Sequence, residues 1–171
     1  MKEYLVKLAH YNLWANQKMI SMISTDEKIF CAPVKNSFPS IKDTLLHIWD
    51  AQDIWFTRLN DKPITDFPSK NFKGNNEDVV AGLIKSSEDF YLFLDKQLPT
   101  YDTKIFSYKN MAGESFSSTA VDIVTHCMNH STFHRGQLIT ILRGFGQTKF
   151  ESTDLIAYHR AMKEVKKEIL D

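Results

Sequence analysis

Two cysteines in 171 residues leave no disulfide framework to read, and they point to a reducing compartment, the cytoplasm. Neither sign of charge is in excess: 21 lysines and arginines stand against 21 aspartates and glutamates. That balance argues against a broad electrostatic grip on nucleic acid or on an anionic membrane. No apolar run approaches the roughly 20 residues of a membrane-spanning helix, and Met1-Lys2-Glu3-Tyr4 does not open a signal peptide. Internal repeats and low-complexity tracts are lacking too. What remains has the make-up of an ordinary soluble globule, 43% hydrophobic and 12% aromatic. A chain of this length is expected to form one domain, residues 1–171, burying roughly two-thirds of the surface its unfolded form exposes.

The dominant period is helical. From Lys2 to about Ile23, Leu5, Leu8, Ala15, Met19 and Met22 recur at three- and four-residue spacing, with Asn12 as a polar interruption. Pro33 and Pro39 mark a connection, and Ser40 is a candidate N-cap for a second helix over Ile41 to about Leu59, apolar almost all round and so expected to be central. Pro63, Pro68 and Gly74 punctuate the next loop. A third helix is expected over Asn76 to Leu98, stopped by Pro99. Between Lys104 and Ser118 the period shifts towards two, which predicts a short β-hairpin. Thr119 to Arg143 predicts a fourth long helix, with Gly144-Phe145-Gly146 as its stop. Leu155, Tyr158, Met162, Val165 and Ile169 form a last stripe, expected to dock on the bundle or on a second subunit. The expected fold is all-α: a four-helix bundle with a long crossover, a hairpin before the fourth main helix and an additional C-terminal helix.

The fourth helix holds half of the six histidines, His126, His130 and His134, at i, i+4, i+8. Scattered at random, six histidines would give roughly 0.2 pairs at i, i+4, and two overlapping pairs occur. At about 100° per residue, with His130 at zero, Ile123 and Ile141 fall at about 20°, His134 at about 40° and Leu138 at about 80°. His130 and His134 therefore lie inside the apolar stripe, whereas His126, at about −40°, lies on its flank. A lone histidine on an apolar face more often hydrogen-bonds a carbonyl than holds a metal. Two imidazoles sharing such a face both need partners, and one metal ion satisfies both.

A third ligand must come from elsewhere. His10, His47, His159 and Cys127 are the candidates; spacing ranks His47 first only narrowly, and Cys127 reads more readily as a small core residue. Asp50, one turn from His47, is a candidate base or imidazole-orienting group, although a solvated helix carboxylate is the simpler reading. Arg135 and Gln137 are candidates for anion recognition or for bonds to the ligands, against simple surface or interface pairing. Gly144-x-Gly146 lacks the third glycine of a nucleotide fingerprint, and neither G-x-S-x-G nor H-E-x-x-H occurs.

Four stretches carry a family resemblance: Tyr11-Asn12-Leu13-Trp14-Ala15-Asn16; Ser40 through His47-Ile48 leading to Trp55; the hairpin; and Asn129-His130 through His134-Arg135-Gly136-Gln137. Over essentially its whole length the chain resembles the DinB/YfiT-like family of metal-dependent four-helix-bundle proteins. The resemblance implies a divalent metal held by His47, His130 and His134, zinc or nickel first and iron or manganese next. His126 matches a position often occupied by histidine without being a ligand. Three histidines leave coordination positions open, as in catalytic rather than structural zinc sites. The expected function is that of a hydrolase using activated water, or of a thiol-dependent transferase, on a small molecule. A low-molecular-weight thiol is the expected co-substrate and a homodimer the expected assembly. Asp50 and Arg135 are the candidate catalytic residues. The alternative is a non-catalytic metal- or ligand-binding stress-response protein. Neither nucleic acid nor a membrane is expected as a partner.

Overall fold

The computed structural model describes residues 1–110 and 112–170, apart from the side chains of Lys166, Glu168, Ile169 and Leu170. Four long helices form the body: α1 (Lys2–Ser21), α3 (Ile41–Leu59), α5 (Asn76–Asp95) and α6 (Ala120–Gly144). Two single-turn helices, α2 (Glu27–Phe30) and α4 (Pro68–Asn71), interrupt the connections, and α7 (Leu155–Leu170) follows the bundle. Strands β1 (Ile105–Lys109) and β2 (Ser115–Thr119) pair antiparallel, with Tyr108 opposite Phe116. Among the described residues no helix is long and apolar enough to cross a membrane.

The helix starts follow local chemistry. Ser40 Oγ accepts the Asp43 backbone N–H at 3.0 Å, as its position before the apolar stretch predicts. Asn75 with Asp78, and Thr119 with Asp122, form reciprocal capping boxes that begin α5 and α6. Helix α5 ends at Asp95, three residues before the expected Leu98; Pro99 has no N–H to donate to the Asp95 carbonyl and disfavours helical conformation at Leu98. Helix α6 stops through Gly146 at φ +89°, whose N–H bonds the Arg143 carbonyl while that of Gln147 reaches Leu142.

The principal helix contacts are α1 with α5 and α6, and α3 with α5 and α6. The consecutive pairs α1 and α3, and α5 and α6, are therefore diagonal partners, whereas α3 and α5 are neighbours, and this arrangement places α3 beside α6. Two apolar lobes fill the interior. One gathers Leu5, Leu59, Phe90, Leu94, Phe106 and Ile123; the other gathers Met19, Ile41, Leu45, Leu83, Leu138 and Ile141. Phe106 roots the hairpin in the first lobe, so the hairpin is less of an appendage than its length suggests. Tyr158, Leu155 and Met162 dock α7 against Tyr11, Trp14 and Ala15 of α1. Val165 of the same expected stripe is exposed, and the side chain of Ile169 lies outside the described residues.

Between the lobes runs a layer of polar side chains. Arg135 Nη1 donates to Asn12 Oδ1 at 2.6 Å and to Asn16 Oδ1 at 2.8 Å. Asn12 Nδ2 donates to Gln52 Oε1 at 2.6 Å, Asn16 Nδ2 donates to Ser87 Oγ at 3.0 Å, and Ser87 Oγ lies 3.1 Å from Gln52 Oε1. The circuit closes through α1, α3, α5 and α6. Asn12 is thus one of its junctions and not a flaw in a stripe, and Arg135, only 2% exposed, is not a surface pairing group.

Candidate metal centre

Because α3 packs against α6, His47 faces the i, i+4 pair. His47 Nε2 lies 3.0 Å from His130 Nε2, which lies 3.1 Å from His134 Nε2. The three ligand atoms fall within 4.8 Å of one another, and among the described residues they form the sole cluster of three or more metal-ligating side chains. His134 is buried, while His47 and His130 are half-buried.

The protonation of this cluster favours a cation. Burial is the largest influence on each ring and lowers all three pKa values; for His130 burial and the neighbouring His134, His47 and His126 together bring it down to about 4. At neutral pH the imidazoles are uncharged, the form that binds metal. His134 Nδ1 donates to Gln137 Oε1 at 2.8 Å, and Gln137 Nε2 donates to Ser37 Oγ at 2.7 Å. This fixes the amide and leaves the lone pair of His134 Nε2 directed at the cluster. His130 Nδ1 is buried without a partner among the described residues, so no second bond from them sets its tautomer. Phe38 covers the group, stacked on His47 at 4.1 Å and edge-on to His134 at 5.6 Å. The donor set, three neutral and converging nitrogens, fits a divalent ion of the zinc type.

A family model for the DinB family matches residues 1–168. The chain belongs to the DinB family. Protein DinB of Bacillus subtilis (strain 168) is 25% identical over 154 residues, which cover 85% of this chain and 88% of that protein. Among solved structures, a DinB-like protein from Bacillus cereus ATCC 10987 superposes with a TM-score of 0.69 at 16% identity, covering 88% of this chain and 96% of its own. YfiT from Bacillus subtilis, described as a probable metal-dependent hydrolase with an unusual four-helix bundle topology, superposes with a TM-score of 0.60 at 10% identity over 86% and 89%. At these identities the two structures show a shared fold, the DinB-like four-helix bundle.

In this DinB-family chain the other candidates stand apart from the cluster. Asp50 Oδ1 accepts the Ser69 N–H at 2.9 Å, tying α3 to α4. Its charge opposes the downward shift of His47 without reversing it. Arg135 points into the polar layer, where Tyr11 and Thr132 complete its contacts with Asn12 and Asn16. His126 is exposed and packs edge-on against Trp55 at 5.1 Å. His10 Nδ1 lies 2.7 Å from the Tyr158 hydroxyl, and His159 packs on the Tyr158 ring. Cys127 is fully buried in the first lobe, and burial pushes its thiol well above the usual range. Sequence reasoning missed Phe38 and Ser37. The available signal was an aromatic residue two positions before a helix cap.

Proposed function

We propose that this protein is a metal-dependent hydrolase of a small molecule, with His47, His130 and His134 as the metal ligands and zinc or nickel as the ion. The convergence of three uncharged Nε2 atoms carries the reading. The description of YfiT as a probable metal-dependent hydrolase supports it at the level of reaction class. A divalent ion in an open three-histidine set supplies Lewis acidity, enough to generate a nucleophile near neutral pH. The chain itself contributes orientation and exclusion of water. Gln137 holds the proton on the outer nitrogen of His134, and the Phe38 ring shields one side of the cluster.

One observation keeps a second reading, transfer to a low-molecular-weight thiol. One oxygen of Asp50 is taken by the Ser69 N–H, and the cluster itself contains no carboxylate to serve as a base. A thiol, with an ordinary pKa of about 8.5, needs no such base beside a cation.

Metal analysis of tag-free protein tests the centre. Stoichiometric divalent metal is expected in the wild type and in His126→Ala, and none in His130→Ala. A metal-free wild type, or equal losses in the two variants, would sink the assignment. In metal-loaded protein, turnover of ester or amide substrates without thiol favours hydrolysis, and strict thiol dependence favours transfer.

A further inference from the structure

Away from the histidine centre, the chain carries a cavity of about 560 Å³ between the C-terminal end of α3, the loop that follows it and the hairpin. Arg58 lies at its edge, eleven residues or about 16 Å along α3 from His47. Its guanidinium sits in the corner formed by two perpendicular rings, 4.3 Å from the centroid of Trp55 and 4.4 Å from that of Tyr108. Only one of its five N–H groups has a protein acceptor among the described residues, Nη2 donating to the Lys109 carbonyl at 3.0 Å. Nε is buried with no partner among the described residues. No carboxylate of the described residues lies within ion-pair distance of Arg58; Asp61, which also lines the cavity, is paired with Lys104 at 2.7 Å. Lys62 and Lys109 add positive charge to the walls, and Thr65, Ser107 and Asn110 add polar side chains.

We infer that this cavity binds the anionic group of a small molecule, a carboxylate or a phosphate, on the Arg58 guanidinium. The argument is one of preorganisation. Contact with two perpendicular aromatic rings confines the guanidinium and strips part of its hydration, so much of the ordering that an anion would otherwise impose is already done. A guanidinium so held presents parallel N–H donors that match two oxygens of either anion. A purely structural arginine, kept to brace the hairpin, would use more of its donors on backbone carbonyls, and its charge would be met by a carboxylate.

The test is an amide NMR titration of metal-free, full-length protein at fixed ionic strength, with inorganic phosphate and with succinate as probes and sodium chloride as the control. Saturable shifts are expected at the amides of residues 61, 62, 64, 65 and 107–110, with a millimolar midpoint, and not around His130. Whichever probe saturates at the lower concentration assigns the anion class. Arg58→Gln should abolish the shifts, Arg58→Lys should raise the midpoint about tenfold, and Lys62→Gln should raise it severalfold. Should the glutamine variant lose the cross-strand contacts of the hairpin, the lysine variant and Lys62→Gln decide by the same readout. Shifts that never saturate, or midpoints unchanged in these variants, would overturn the inference. Because no metal is present, the result is independent of whether the histidine centre binds one.

Discussion

Replacing Gln137 by leucine removes two hydrogen bonds, one of them to His134, and almost no volume, and it tests whether the histidine cluster is oriented from outside. In the wild type the Gln137 carbonyl oxygen accepts the His134 Nδ1 proton at 2.8 Å. An imidazole that donates electron density to a cation gains positive character at Nδ1, so this bond strengthens on metal binding. A hydrogen bond to such a charged group contributes about 1.5–3 kcal/mol, which corresponds to about a 10- to 100-fold loss of metal affinity in Gln137→Leu. Competition for zinc against a chromophoric chelator at pH 7.5 measures it. The same side chain also donates to Ser37 Oγ, so Ser37→Ala is the necessary companion: it removes only the tie to the Phe38 loop and should stay within about threefold of wild type. Gln137→Glu retains an acceptor and should bind at least as well as wild type. If Gln137→Leu binds within twofold of wild type, or if Ser37→Ala falls as far as Gln137→Leu, the orienting role is refuted.

Other perturbations separate fold from site. Arg135→Met should destabilise by about 3 kcal/mol in urea unfolding, because Asn12 and Asn16 lose a buried donor, while metal affinity changes little; the reverse outcome would return Arg135 to the site. Gly82→Ala runs against the usual gain from alanine within a helix. A methyl group at Gly82 would stand 1.9 Å from the Trp49 ring, so a net loss of about 1–2 kcal/mol is expected, turning to a gain in a Trp49→Phe background; stabilisation of the wild type by Gly82→Ala would refute the close approach. The metal-free protein should lose stability as pH falls. The folded-state pKa of His130 is about 4 against an unfolded value of 6.5, so the unfolded chain takes up its proton first and stability declines from about pH 6.5, levelling off below about pH 4. Unfolding midpoints at pH 7, 5.5 and 4.5 check this, and a slope that survives unchanged in His130→Ala would assign it to other groups.

The helix bearing the histidine pair was legible because a period of 3.6 residues makes a shared face visible over eighteen residues. His47 was another matter. Its side of α3 also carries Asp43, Asp50, Ala51 and Arg58, so spacing ranked it first only narrowly, and family resemblance assigned it as a ligand. Contact between α3 and α6 is a property of bundle topology, on which neither helix carries local information. Phe38 and Ser37 were invisible for a related reason: an irregular connection has no period, and its role depends on where it folds back. Arg135 was misread by the ordinary expectation that arginine is exposed. A better signal was present. Asn12, Asn16, Gln52, Ser87 and Arg135 all interrupt otherwise apolar faces, and interruptions in four helices ask for a common explanation.

That polar circuit has a consequence for the histidines. Helices joined only by aliphatic contacts can slide past one another or exchange neighbours at modest cost, since one leucine replaces another. Here a slip of α6 by a single turn, about 5.4 Å, would carry the Arg135 cation away from both asparagine oxygens and leave it buried among hydrocarbon. The bonds that Arg135, Asn12, Asn16, Gln52 and Ser87 make hold the four helices at the longitudinal setting observed. Arg135 is the residue after His134, and Gln52 lies five positions beyond His47 on the same helix. The layer therefore works as a ruler: by keying α3 to α6 through Asn12, it sets the height at which three imidazoles from distant parts of the chain meet.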